Sequence, residues 1–152
     1  MSDKHNLFDP EKISIIDFKM VKGQVDTSED FDPSKIEGYH LDNGLQFGFS
    51  QDEKLVKADF TIEIKTESKG QNHRESSGNF HFVFIYHVEN WAELAESNKN
   101  NLIKLHPTLS NALSSVTYST SRGILLTRLQ GTALQNFVLP IINPNTLLNN
   151  KN

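Results

Sequence analysis

Between Ile13 and Val88 apolar side chains recur at every second position, and from Trp91 onward they recur at every third or fourth. A period of two puts one face of a strand in the core and the other in water, whereas a period near 3.6 lines one side of a helix. The order of the two periods constrains the fold further. Strands first and helices last describe an α+β domain, because a parallel sheet needs a crossover helix between successive strands. The chain therefore reads as a four-stranded antiparallel sheet with helices packed on one face.

In the first apolar run Ile16, Phe18 and Met20 share one face, while Val21, Gly23 and Val25 share the other. Such a one-residue slip predicts a β-bulge near Met20 and Val21. The segment from Asp26 to Gly38 is acidic, carries Pro33, and reads as a connection across a sheet edge. Asn43-Gly44 favours a two-residue type I′ turn, which predicts a hairpin with a short Tyr39–Leu41 arm. Leu45, Phe47 and Phe49 then alternate, as do Phe60, Ile62 and Ile64 against Thr61, Glu63 and Lys65. After the loop Lys69-Gly70-Gln71-Asn72 come Phe80, Phe82, Phe84, Tyr86 and Val88, with His81, Val83, Ile85 and His87 opposite. This last strand is apolar on both faces in its second half, which places it centrally or beneath a second covering layer.

Asn90 predicts the cap of a short helical turn holding Trp91, Leu94 and Ala95, interrupted by Ser97-Asn98-Lys99-Asn100-Asn101. A longer helix starts at Pro107, a residue tolerated at the first helical position, and runs to Leu129. Leu109, Leu113, Val116, Thr120, Gly123, Ile124 and Thr127 form its stripe, flanked by Ser110, Ala112, Ser114, Ser115 and Ser119. Small side chains let such a helix approach another element closely. A strand through Val116–Thr120 is the competing reading, since β-branched residues and Ser are poor helix formers, but the stripe continues beyond that run. Asn143 and Pro144 predict a closing helix whose apolar pair is Leu147-Leu148.

The 152 residues, 36% hydrophobic and 22% charged, fit one domain spanning 1–152, with 1–12 and 149–152 as flexible tails. The amino terminus lacks an apolar leader core, and no apolar run approaches the ~20 residues that span a bilayer, so a cytoplasmic, non-membrane protein is expected. Zero cysteines exclude disulfides, thiolate metal sites and a cysteine nucleophile. A net charge of -4 argues against nucleic acid, which normally requires a basic stripe.

No catalytic or metal motif accompanies this pattern. His81 and His87 share a strand face about 20 Å apart by strand rise, and His40, His73 and His106 form no metal-binding spacing. Arg122, read as lying near a helix end before Gly123, is expected to bond terminal carbonyls. No Ser stands in a nucleophile-elbow context, so no enzyme is expected and no cofactor is called for.

Four strands, a helix carrying Ser121-Arg122-Gly123, then Leu139-Pro140-Ile141-Ile142-Asn143 and a closing helix with paired leucines: over Ile13 to Leu148 this pattern resembles the SecB-like protein-export chaperones. The resemblance implies a dimer of dimers with the long helices between sheets, acting without nucleotide. It implies a holdase that binds unfolded polypeptides, either preproteins destined for the SecA translocase or the antitoxin of a toxin-antitoxin system. Family members dock the translocase partly through acidic residues at the start of the fourth strand, where this chain has Ser77, Gly78 and Asn79. Acidic character instead sits at Asp26, Glu29 and Asp30, the expected partner-binding residues.

Phe47, Phe49, Phe60, Phe82, Phe84 and Tyr86 are the expected client contacts, since aromatic surface accepts many sequences. Core packing competes for each of them, because one sheet face must be buried for the chain to fold. Leu109, Leu113, Ser114, Val116 and Thr120 are the expected oligomer interface of a homotetramer. Two rivals remain, a small-ligand binding module with a discrete polar-lined pocket and an assembly protein without clients.

Overall fold

The computed structural model describes residues 9–70, 74–97 and 102–149. Most of the expected tails, together with Gln71–His73 and Asn98–Asn101, lie outside the described residues. Pro10–Lys12 form a turn of 3-10 helix, whose cap Asp9 accepts a hydrogen bond from Glu11 N. Four strands, β1 (Ile13–Asp26), β2 (Ile36–Ser50), β3 (Leu55–Ser68) and β4 (Ser77–Val88), form an antiparallel sheet in the order β1-β4-β3-β2. A short helix α1 (Trp91–Leu94), a two-stranded ribbon of β5 (Ala95–Ser97) and β6 (Ile103–Leu105), the helix α2 (Pro107–Arg128) and a closing helix α3 (Asn145–Asn149) follow.

Alternation decides which side of the sheet is covered. On β3, Val56, Ala58, Phe60, Ile62, Ile64 and Thr66 are buried, and on β4 so are Phe80, Phe82, Phe84, Tyr86 and Val88. Ring contacts link this face: Phe80 to Phe82 at 6.0 Å, Phe84 to Tyr86 at 6.2 Å, and Phe60 to Tyr118 of α2 at 5.8 Å. Each such side chain contributes roughly 1.5–3 kcal/mol by leaving water. On the opposite face only Val83 of the central strand is fully buried, and the rest is polar or half-exposed.

The bulge expected near Met20 is present, as a register shift between Met20 and Lys22. A second shift lies between Ile15 and Asp17. Together they keep Ile13, Ile15, Phe18, Met20, Gly23 and Val25 opposite the core-side residues of β4, and leave Ile16 and Val21 as unpaired extra residues at 55% and 61% exposure. The turn expected at Asn43-Gly44 is absent. β2 runs straight through it, with Asn43 opposite Ile62 and Gly44 opposite Thr61. A continuous partner in β3 supplies the backbone bonds that a hairpin would otherwise supply, and tertiary pairing overrides the dipeptide's local preference.

The helical reading of Val116–Thr120 holds, but the face expected to be buried is turned. Leu109, Leu113, Thr117, Ser121, Leu125 and Leu129 step by four and are buried against the sheet, with Ser114 and Tyr118 beside them. Val116 and Thr120 are exposed. The physical reason is Tyr86: its hydroxyl is buried under α2 and shares a 2.7 Å hydrogen bond with Thr117 Oγ1, a partner that Val116 could not supply. Ser114 Oγ is satisfied locally, donating to Ser110 O at 2.7 Å. His106 caps the helix, accepting from Thr108 N on Nδ1 at 3.2 Å.

Ser121-Arg122-Gly123 is not a helix end. α2 continues to Arg128, and Gly131 takes the positive φ (78°) beyond it. Arg122 therefore does something other than cap its own helix: its Nε donates to Leu139 O at 3.0 Å and its Nη2 to Pro140 O at 3.2 Å. Tyr118 OH also donates to Pro140 O, beneath the guanidinium, which lies 5.2 Å above the Tyr118 ring. The two segments that carry the family resemblance are thus bonded to each other. Buried Leu134, Phe137 and Leu139 extend the cover towards β2, where Phe137 meets Tyr39 edge-on at 5.3 Å. Asn143 caps the last helix as expected, its Oδ1 accepting from Asn145 N at 3.1 Å, and Leu147 is buried.

Two outcomes are expected from these contacts. Burial raises the Tyr86 pKa from 10.0 to about 12, with the Thr117 hydrogen bond opposing it. Below pH 10 both folded and unfolded chains hold this proton; between pH 10 and about 12 the unfolded chain loses it first, so stability falls as pH rises across that window, by about 2–3 kcal/mol in all. Urea titrations of the wild type and Tyr86→Phe at about pH 9 and about pH 11 should show a shallower loss in the variant. Arg122→Ala should cost about 1–2 kcal/mol and speed proteolysis within residues 130–144. Arg122→Lys should recover only part of this, since an ammonium cannot both stack and make the forked contact.

Candidate functional site

The six aromatic residues expected to contact clients divide sharply. Phe60, Phe82, Phe84 and Tyr86 are 0–1% exposed and form the core beneath α2, so as surface contacts they are corrected: folding itself requires them. Phe47 is half-buried on β2, and Phe49 is 37% exposed, its ring 6.3 Å from Trp91. The expected oligomer residues divide too. Leu109, Leu113 and Ser114 face the sheet of their own chain, leaving Val116 and Thr120 on the outer side of α2.

The cover of the sheet reaches β1 only in part, half-burying Ile13, Met20 and Val25. Between this edge strand and α2 lies a groove of about 230 Å³, lined by Pro10, Ile13, Ser14, Ile15, Tyr86, Ala112, Leu113 and Val116. Ile15 is 46% exposed and Val116 42%, and Phe18, next along the same side of β1, is 39% exposed while resting on Phe82 and Phe84 at 5.8 and 5.0 Å. Single exposed apolar residues are ordinary; a contiguous set around a groove marks an interaction surface. Periodicity alone missed Ile15 and Ile13, because the bulge at Ile16 places them on the core side only once β1 is registered against β4.

The outer side of α2 continues this surface. Between Pro107 and Ser121 the helix has no charged residue, and Gly123 is exposed with nothing within 4 Å of the place a Cβ would occupy. Glycine inside a helix weakens it by roughly 1 kcal/mol relative to Ala, and no contact among the described residues requires it here.

Asp26, Glu29 and Asp30 are all exposed and lie near the start of β4, Asp26 being opposite Ser77. Asp26 accepts hydrogen bonds from Gln24 Nε2 at 3.1 and 3.0 Å, and its carbonyl accepts from Ser76 Oγ at 3.1 Å. On the solvent-facing side of the sheet, a depression of about 430 Å³ is bordered by Lys22, Asp42, Asn43, Gly44, Thr61, Glu63, Asn79 and His81. His81 Nε2 is hydrogen-bonded to Asp59 Oδ1 at 2.8 Å. The depression is open to solvent. Among the described residues no group of three or more His, Cys, Asp or Glu is placed to hold a metal ion, and no helix is long and apolar enough to cross a membrane.

No protein-family model and no curated protein matches the sequence. Among solved structures, the chain is similar to a Mycobacterium tuberculosis protein, the Rv1957 SecB-like chaperone, solved in complex with a ChAD peptide from the Rv1956 HigA1 antitoxin. The superposition has a TM-score of 0.61 at 12% identity and covers 88% of this chain and 92% of that one. Four antiparallel strands, a long helix laid across them and a C-terminal segment tied back to that helix give this chain a SecB-like fold.

Proposed function

We propose that this chain is an ATP-independent chaperone that holds non-native polypeptide. The observation that carries the reading is the incomplete cover of the sheet, which leaves Ile15, beside an apolar groove, and Phe18, next along the same strand, exposed on β1. Extended segments of varied sequence bind such a surface through apolar area, and several weak sites engaged by one long client raise binding through effective concentration. The similar chaperone's complex with an antitoxin peptide favours a dedicated client of that kind over preproteins bound for SecA. In the export reading, Asp26, Glu29 and Asp30 would supply the charge complementarity for the translocase.

The same reading assigns the outer side of α2 to assembly, as a homotetramer. Val116, Thr120 and Gly123 let a second copy approach closely, with Leu126 adding a further exposed apolar side chain, 41% exposed. Val116→Glu should reduce the particle mass towards the single-chain 17.2 kDa, which light scattering reads directly, while the circular dichroism spectrum stays that of the folded chain. Wild type already at single-chain mass at tens of micromolar, about where obligate assemblies persist, would remove the tetramer.

Suppression of aggregation of a chemically unfolded client, with mass measurement of the complex, tests the activity itself. Phe18→Ser and Phe49→Ser should each weaken suppression several-fold without nucleotide dependence. Both rings are more than a third exposed, so the stability cost should stay below the roughly 3–5 kcal/mol of a buried Phe truncation. Full suppression by both folded variants would move the client site elsewhere.

A further inference from the structure

Resting on the chaperone reading, we propose that the free edge of β2 takes up an extended client segment as a fifth strand, with bulky client side chains set four positions apart over Gly44 and Gly48. Among the described residues both sheet edges are open, but they are built differently. β1 carries two register shifts and the lysines Lys19 and Lys22, the devices by which proteins blunt an edge against further pairing. β2 pairs with β3 residue by residue from Gly38 to Ser50 with no shift, and holds no Lys, Arg or Pro anywhere between Ile36 and Ser50. Among the described residues no backbone hydrogen bond joins β2 to a segment other than β3. Its outward row of N–H and C=O groups therefore suits another extended backbone.

The glycines identify what that backbone carries. Neither Gly44 nor Gly48 has a positive φ, so the conformation does not demand glycine. Nor does packing: a Cβ on Gly44 would stand 3.7 Å from Thr61 Oγ1, and one on Gly48 3.8 Å from Lys57 Cβ, both ordinary contacts. Glycine weakens a strand and often marks a close approach by something outside it. Gly44 and Gly48 pair with Thr61 and Lys57, on the solvent-facing side, and Gly44 borders two open depressions of about 430 and 350 Å³ there. A large side chain on an added strand covers a neighbouring glycine well, as aromatic residues do across designed sheets. Since side chains alternate along a strand, the residues opposite Gly48 and Gly44 stand four positions apart on one side of the incoming segment. Residues on its other side meet Phe47 and Phe49. Along β2 and at its two ends the acids Glu37, Asp42, Asp52 and Glu53 outnumber the bases Lys35 and Lys54, which favours a segment flanked by basic residues.

The probe is a short Lys-flanked peptide with two Phe four positions apart and Val or Thr between them. The double variant Gly44→Val, Gly48→Val should melt at a higher temperature than the wild type yet bind the peptide roughly tenfold more weakly, an opposition that a merely structural role for the glycines would not produce. On the wild type, N-methylation of alternate peptide residues along one edge should abolish binding, whereas methylation of the intervening residues should not. Hydrogen exchange should show new protection at alternate β2 amides. Equal binding of the two methylated peptides, or unchanged affinity in the folded double variant, would overturn the strand-addition proposal. A changed particle mass with unchanged peptide affinity would also overturn it, by assigning the edge to contact between copies. In each of those cases the chaperone reading stands if the wild type suppresses aggregation, and falls separately if it does not.

Discussion

The aromatic side of β3 and β4 has to be covered, and the buried Tyr86 hydroxyl fixes how. A phenol in an apolar layer needs a partner, and Thr117 provides it from the centre of α2. Once Thr117 points at the sheet, every fourth residue from Leu109 to Leu129 does too, and the remaining faces of the helix follow. Ser114 and Ser121 then lie at the contact, both fully buried, where small side chains allow the helix to rest closely on the aromatic layer. Arg122, one residue beyond Ser121, is carried to the side, where it holds the carbonyls of Leu139 and Pro140. The same rotation that buries Thr117 thus anchors the C-terminal segment over the β2 half of the sheet.

What this arrangement leaves bare is as consequential as what it buries. The helix and the C-terminal segment cover β3, β4 and most of β2 but only part of β1: Ile13, Met20 and Val25 are half-buried against the core, whereas Ile15 and Phe18 stay open. A chain that needed only to fold could have placed polar residues at those positions, since exposed edge-strand positions contribute little to the core. Apolar area kept in water carries a penalty of roughly 25 cal/mol per Å², which a bound client or a second copy of the chain would relieve.

The fold class was legible because periodicity survives without tertiary information. The bulge at Met20 showed as a slip in alternation, and Asn90, Pro107 and Asn143 marked helix starts at or within a residue of where they occur. Asn43-Gly44 misled because a turn preference is local, whereas β3 offers a continuous partner. Arg122 misled for a related reason: the following Gly123 reads as a helix stop, but the stabilising bonds come from residues seventeen and eighteen positions away in sequence. Client contacts were hardest to read, since a Phe that packs a core and a Phe that meets a partner alternate in the same way along a strand.

By itself, then, the sequence determined the kinds of element, their order and the existence of one strongly apolar sheet face, because these depend on spacing between near neighbours along the chain. Only the tertiary structure decided which residues remain exposed. Phe60 and Phe82 vanish beneath α2 while Phe18 and Phe49 stay in contact with solvent, since burial depends on where the covering layer ends. It likewise decided that Gly44 serves a strand and not a turn, because β2 and β3 join at the Gln51–Lys54 turn and Gly44 meets Thr61, seventeen positions on, beyond the reach of a dipeptide's preference.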